Sequence, residues 1–484
     1  MWNPALIAIL PVLWSVADLS SRPPDVLRSR VSRLEATGLT GETLRLELFE
    51  DESIEAVRDR LEPTGLDGFT WIGHARGDEE SSVVLSVFRG VLSASLRLAS
   101  GQYRIRREGA GLHRIEEVAP SSEPPERQPL PAGRASRPPA AIDLDDGTEL
   151  DLLVVYTPRA RRAAGGADAI ASLVGLGLAE TNLALEKSEV LTRLRLVELR
   201  EVSFAEAGRV ESDLEILREE NDGALDEVHE LRDAYGADVV QLVVEEGDGC
   251  GIAYSMGRAG ASFSEWAYAV VERSCIDTTY AIAHELGHNL GCDHAPEDST
   301  TKSAFAYSFG YKDPLAGFRT IMAYGPGRRV ARFSNPRVLF GGVAAGTEWQ
   351  DNARSLNELR VTASRFRRSL PPPSVTSSLG ELGATGTLQG TTRFRVSSDG
   401  PRVSEWRLFL GTSPGASDVL DSGPRSDVDY IDAPLSSLEG ALFGRLWYRR
   451  GAVWLHEDFP LASPRYTAPG VRVGIQRIEF SPPR

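Results

Sequence analysis

The stretch His284-Glu285-Leu286-Gly287-His288-Asn289-Leu290-Gly291-Cys292-Asp293-His294 decides how the rest of the chain is read. On a helix, residues four apart share a face, so the imidazoles of His284 and His288 converge on one point. Gly291 tolerates positive φ, so the chain can leave the helix there and turn sharply. That turn brings His294 round as a third imidazole. Neutral imidazole nitrogens bind zinc at about 2.0–2.1 Å, and three protein ligands leave a fourth position for water, the mark of a catalytic site. Glu285, beside the first ligand, can reach such a zinc-activated water as general base. Five fixed positions recur by chance in a chain of this length on the order of once in several thousand. Seven histidines occur in the whole chain and three stand here, which disfavours an amphipathic helix with incidental histidines.

The pattern resembles that of the metzincin metalloproteases. That clan also carries a Met-turn downstream, and Thr320-Ile321-Met322-Ala323-Tyr324-Gly325 fits it. The resemblance implies that Met322 packs beneath the metal. In some metzincins a Tyr at the position of Tyr324 ligates zinc or stabilises the transition state. The span from Leu150 to about Arg367 is similar to the reprolysin-like branch, especially the bacterial peptidyl-Asp metalloendopeptidase-like proteins. The matching pieces include Val154-Val155-Tyr156-Thr157-Pro158, Gly249 to Tyr254, Phe333-Ser334-Asn335-Pro336 and Asp351-Asn352-Ala353-Arg354. The implied fold is an α/β (α+β) catalytic domain with a mixed sheet and an active-site helix. The implied function is a secreted endopeptidase with one catalytic Zn2+, made as a proenzyme. Arg328, Arg329 and Arg332 follow the Met-turn, where this clan builds its S1′ wall. An arginine there could select an acidic residue after the cut; the plainer reading is a solvated basic turn.

Upstream, residues 1–17 read as a signal peptide, apolar from Ala5 to Val16 apart from Pro11 and Ser15. The segment lacks a Lys or Arg at its start. No later stretch reads as a transmembrane helix, so a soluble product outside the cytoplasm of a bacterium is expected. Within 18–117, period-two runs such as Val83-Val84-Leu85-Ser86-Val87-Phe88, separated by Gly turns, indicate an antiparallel sheet. This part resembles the propeptide of the same enzymes. No cysteine precedes Cys250, so a cysteine switch is excluded and another group, or steric cover, must impose latency. Residues 118–141 are dense in Pro, Ser and Arg; such a chain should form no ladder and should act as a cuttable linker.

The catalytic domain is expected over 142–370. Helices are expected at Arg159 to Lys187, Leu225 to Tyr235 and about Asp277 to Leu290. A strand near Trp266 to Val271 is the expected peptide-binding edge. Of three cysteines, Cys250 and Cys275 flank one segment and are the favoured disulfide, with Cys292 a competitor. Asp145-Asp146 could bind calcium, but no loop has the spacing of a known site. After Pro371, residues 371–484 hold short strands and resemble an accessory β-sandwich. Its Trp406, Trp447 and Trp454 would meet a surface or polysaccharide if exposed, and form core if buried. A net charge of −16 argues against nucleic acid, leaving proteins or peptides as substrates. A zinc-containing adhesin and a cell-wall peptide hydrolase are the rival readings.

Overall fold

A computed structural model describes residues 25–33, 39–64, 68–109, 111–119, 127–135 and 145–370. Beyond these it describes 373–377, 390–398, 403, 405–413, 415–426, 428–435, 442–450 and 453–462. The leader expected at 1–17, parts of the Pro-rich linker and Pro371-Pro372 lie outside the described residues.

The described residues begin with eight strands: β1 (Val26–Arg33), β2 (Thr43–Phe49), β3 (Glu52–Pro63), β4 (Gly68–Ala75), β5 (Asp78–Phe88), β6 (Val91–Arg97), β7 (Gln102–Gly109) and β8 (Leu112–Val118). They form one antiparallel sheet in the order β1-β8-β7-β6-β5-β4-β3-β2. Side chains alternate between its faces. Val83, Leu85 and Val87 turn inward with Trp71, Leu92 and Leu96. Ile72, Val84 and Phe88 turn the other way and join the core of the domain that follows. The sheet rolls until its outer strands approach, where Arg28 on β1 pairs with Asp51 and Arg30 donates to the Glu47 carbonyl on β2.

The next sheet contains β9 (Leu130–Pro131), β10 (Glu149–Tyr156), β11 (Arg193–Glu201), β12 (Val239–Val244), β13 (Gly251–Ser255) and β14 (Tyr268–Glu272), in the order β11-β10-β12-β14-β13-β9. β10, β11, β12 and β14 run parallel. Leu150 to Tyr156 and all of β12 are buried, as unbroken apolar runs in a parallel sheet should be. β13 folds back antiparallel on β14. The strand expected near Trp266 to Val271 is therefore internal, and β13 replaces it as the edge of the domain. The linker also departs from expectation, because β9 pairs parallel with β13. Proline can stand on an edge strand, where its missing N–H costs no ladder bond.

Among the described residues five helices pack on this sheet, α1 (Pro158–Ala164), α2 (Ala167–Lys187), α3 (Val210–Arg218), α4 (Asp226–Tyr235) and α5 (Ala281–Asn289), and a sixth, α6 (Asn352–Ala363), lies against the strand Asn335–Phe340. The single helix expected over 159–187 is split at Gly165-Gly166, both at positive φ. α3 and α6 were not anticipated. By length and composition α2 could cross a membrane, but 89% of its apolar window is buried inside the protein. It lies between β11 and α5 on one side and β5 and β6 on the other. Cys250 and Cys275 form a disulfide, and Cys292 is a buried free thiol.

Among the described residues beyond 370 there are two antiparallel sheets, one of Ser374–Ser377, Gly390–Ser397 and Tyr430–Leu435, the other of Leu420–Asp421, Glu405–Gly411, Leu442–Arg450 and Val453–Ala462. Trp406 and Trp447 are buried in them and Trp454 is half-buried, so the first two belong to core rather than to a binding face.

Candidate metal centre

The helix α5 starts after Tyr280, which sits in the left-handed region at φ 58°, and it ends at Leu290. Gly291 follows at φ 79°, and a Cβ there would fall 2.5 Å from the Ala304 Cβ. Only glycine fits this turn, and the turn delivers His294. Asp293, beside this histidine, fixes the loop: its Oδ1 accepts from the His294 N–H at 2.7 Å, and its Oδ2 accepts from the hydroxyls of Ser299 and Thr301 at 2.7 and 2.9 Å.

The three imidazoles meet. Nε2 of His284 lies 3.2 Å from Nε2 of both His288 and His294, and the remaining pair is 3.1 Å apart. Nδ1 of His284 donates to the Ile321 carbonyl at 3.0 Å, and Nδ1 of His288 donates to the Cys292 carbonyl at 3.0 Å. A carbonyl only accepts, so in neutral His284 and His288 the proton sits on Nδ1 and Nε2 is bare. Bare nitrogens at hydrogen-bond distance, all buried, oppose one another unless a cation lies between them. The centre of such a triangle is about 1.8 Å from each nitrogen, close to the roughly 2.0–2.1 Å of a zinc–imidazole bond. The donor set thus fits a divalent metal. Burial, then the neighbouring charge of His284, lowers the His288 pKa to about 3. Burial, then His288, His284 and Arg329, pushes His294 well below its ordinary value. Rings held neutral are ready to ligate.

Glu285 is buried beside this cluster. Its carboxylate abuts the first residue of β13, where a Cβ on Gly251 would stand 2.5 Å from Oε1. The positioning role of Gly251 escaped the sequence reading, although its glycine within Gly249-Cys250-Gly251 was a visible signal. Met322 is fully buried, with its sulfur against Gly287 on the underside of α5. Tyr324 places its hydroxyl 2.9 Å from His294 Nε2 and donates to the Arg127 carbonyl at 3.4 Å.

That last contact belongs to the linker. Arg127 is ion-paired with Asp248. Gln128 donates to the Asp298 carbonyl at 3.0 Å and accepts from Thr300 at 2.9 Å. Leu130 and Pro131 then pair with Tyr254 and Ser255 on β13, and Gly133 packs on Trp266. Residues 127–133 therefore run from the metal centre along the edge strand.

The three arginines after the Met-turn do not converge on the histidines. Arg328 donates to the Leu98 carbonyl at 3.1 Å, Arg329 to the Thr279 carbonyl at 2.8 Å, and Arg332 to Glu80 at 2.7 Å. Asp146 accepts from the Thr148 N–H and hydroxyl while Asp145 accepts from the distant Ser369 N–H, so the two carboxylates serve separate partners. Among the described residues, His284, His288 and His294 form the one cluster with three metal-ligand side chains.

A family model described as metallo-peptidase family M12B, reprolysin-like, matches residues 148–348. The peptidyl-Asp metalloendopeptidase of Xanthomonas campestris pv. campestris is 32% identical over 304 residues, covering 60% of this chain and 71% of that protein. Those of Stenotrophomonas maltophilia strains R551-3 and K279a are 30% and 29% identical, each match covering 69% of this chain and 85% of the relative. With three histidines poised for one ion and relatives matched over most of their length, the chain belongs to the reprolysin-like M12B metallopeptidases and is a metalloendopeptidase.

Proposed function

We propose that this metalloendopeptidase is exported, holds one zinc ion through His284, His288 and His294, and is made as a proenzyme. The observation that carries the reading is the triangle of converging Nε2 atoms with Glu285 beside it. Bound there, zinc would supply a Lewis acid and lower the pKa of a water towards about 7. Glu285 takes the proton of the attacking water and passes it to the leaving amine. The Tyr324 hydroxyl donates to the oxygen on which negative charge develops. A substrate peptide lies extended along β13 once the linker has left it.

Residues 18–117 are the propeptide in this reading, and the linker supplies latency by steric cover. The contacts of Arg127 to Gly133 across the centre and the edge strand support that assignment. Residues 142–370 carry the chemistry. Residues 371–484 form an accessory β-sandwich, a reading supported by two antiparallel sheets with apolar side chains buried between strands. The relatives' name, peptidyl-Asp metalloendopeptidase, and the basic segment at 328–332 support a preference for acidic side chains.

The test is Glu285→Gln in processed protein. Zinc content should stay at one per chain while turnover of casein and of a mixed peptide pool falls by at least about a thousandfold, beyond what loss of general-base assistance alone gives in milder cases. Full turnover in the variant, or parent protein free of stoichiometric zinc, would sink the reading.

A further inference from the structure

Asp248 stands in the turn between β12 and β13, three residues ahead of Gly251, whose missing Cβ makes room for the Glu285 carboxylate. The protein aims this side chain. Its Oδ1 accepts from the Val210 N–H at the head of α3 at 3.3 Å, which turns Oδ2 toward the linker. There the Arg127 guanidinium gives Nη2–H to Oδ2 and Nε–H to the Asp248 main-chain carbonyl, the latter at 3.1 Å. Two acceptors offered by one residue match the fixed fork of a guanidinium.

The surrounding charge favours a cation. Glu206 accepts from the N–H groups of Glu245 and Glu246 at 3.0 and 2.7 Å, within the same turn. Asp213, on the first turns of α3, feels both carboxylates. Burial first, with the charges of Glu206 and Asp248 behind it, pushes its carboxyl up to about 6 against the pull of the Ala207 N–H. A second arginine, Arg209, stands 3.7 Å from Asp248, but its side chain is mostly in water and has Glu211 closer, at 3.2 Å.

The place is next to the chemistry. The Arg127 carbonyl accepts from the Tyr324 hydroxyl, and that hydroxyl lies 2.9 Å from His294 Nε2. Arg127 therefore sits where a chain in the cleft passes the histidines, and from there its side chain reaches Asp248. A peptide laid along an edge strand draws its affinity from main-chain pairing and its specificity from side-chain sites of this kind.

We propose that Asp248 is a specificity residue that takes a cationic side chain beside the scissile bond of the substrate, and that Arg127 is its resident occupant in the uncut chain. The inference rests on the endopeptidase reading above. It adds a selection rule of opposite sign to the one drawn from residues 328–332, at a different wall of the cleft. Arginine should be preferred to lysine, because a point charge engages only one of the two acceptors.

The test uses zinc-loaded protein processed from the full chain. Its peptides are alike except that Arg, Lys or citrulline, the neutral isostere of Arg, stands in turn at each of the two positions on either side of the cut. At one position kcat/KM for Arg should exceed that for citrulline by at least about fivefold, the scale of a single partly exposed charge pair, with Lys between. The ratio should shrink in about 1 M sodium chloride. Asp248→Asn should bring it to within about twofold of one, and Asp248→Glu should keep part of it. Each ratio is taken within one enzyme, so general damage to a variant cancels. A ratio near one at every position in the parent, or a ratio that survives Asp248→Asn, overturns the proposal and leaves the endopeptidase reading intact. Failure to cut any peptide would sink that reading, and this inference with it.

Discussion

Arg106 on β7 grips Asp277, a fully buried carboxylate four residues ahead of α5, with both prongs of its guanidinium. Burial alone would raise the Asp277 carboxyl; the charge and hydrogen bonds of Arg106 outweigh it and hold the group below its ordinary range. A carboxyl depressed by folding stabilises above its unfolded pKa of about 3.9, and that stabilisation is lost as pH falls through the folded value. Arg106→Leu leaves the carboxylate buried without its main partner. We expect a loss of about 3–5 kcal/mol at pH 7, read from urea unfolding, and a gap to the parent that narrows below about pH 4 as the carboxyl protonates in both. Equal unfolding midpoints at pH 7 would show that the pair does not tie the sheet to the protease.

Gly251 offers a cleaner handle on catalysis. Its missing Cβ makes room for the Glu285 carboxylate, and a methyl there would also meet the Val270 carbonyl at 2.9 Å. Gly251→Ala must push this carboxylate out of line, away from the position the proposed general base needs. We expect kcat to fall by about a hundredfold, the usual cost of misplacing a reacting group by about 1 Å. KM and zinc content should hold, since neither the ligands nor the outer ladder of β13 is touched. Unchanged kcat would mean that Glu285 is positioned by something else.

Metal removal should make stability sensitive to mild acid. In the metal-free fold His288 and His294 are held neutral, the former down to a pKa of about 3. The unfolded chain takes up those protons below about pH 6.5. Stability is therefore complete above that pH and falls as the solution is acidified towards the folded values. We expect Tm of the chelated protein to drop steeply from pH 7 to pH 5. Zinc at a thousand times its Kd should add about 4 kcal/mol at pH 7 and less at pH 5, because protons compete for the same nitrogens. Calorimetry with and without a chelator checks this, and a flat Tm for the chelated protein across that range would contradict it.

The metal site was legible because its information is local. His284, His288 and His294 lie within eleven residues, and helix periodicity plus one glycine turn converts their spacing into convergence. What supports the site comes from afar. Arg106 reaches Asp277, Arg97 reaches Thr278, and Glu80 reaches Arg332 across well over a hundred residues each. No periodicity announces such pairs. The choice of edge strand was also hidden, since β13 and β14 are equally short and apolar, and the order depends on a reversal made beside the Cys250–Cys275 bridge. α3 is a different matter. Val210, Leu214 and Leu217 stand at helical spacing and bury one face, so that helix is readable in the sequence despite its acidic surroundings. The linker misled because proline density suggests no pairing at all, yet two residues suffice to dock on an open edge.

α2 has no wet side. The mixed sheet and α5 cover one half of it and β5 and β6 cover the other, with the Ser172 hydroxyl donating to the Ser86 carbonyl at 2.8 Å across the seam. A recombinant gene trimmed to start at residue 142 would thus have to fold with that apolar face open to water, and with Glu180 and Asp277 lacking their arginines. Chains caught part-folded in that way stick to one another. Practical production has to carry the first eight strands along, in the same chain or beside it, at least until the protease has folded around its longest helix.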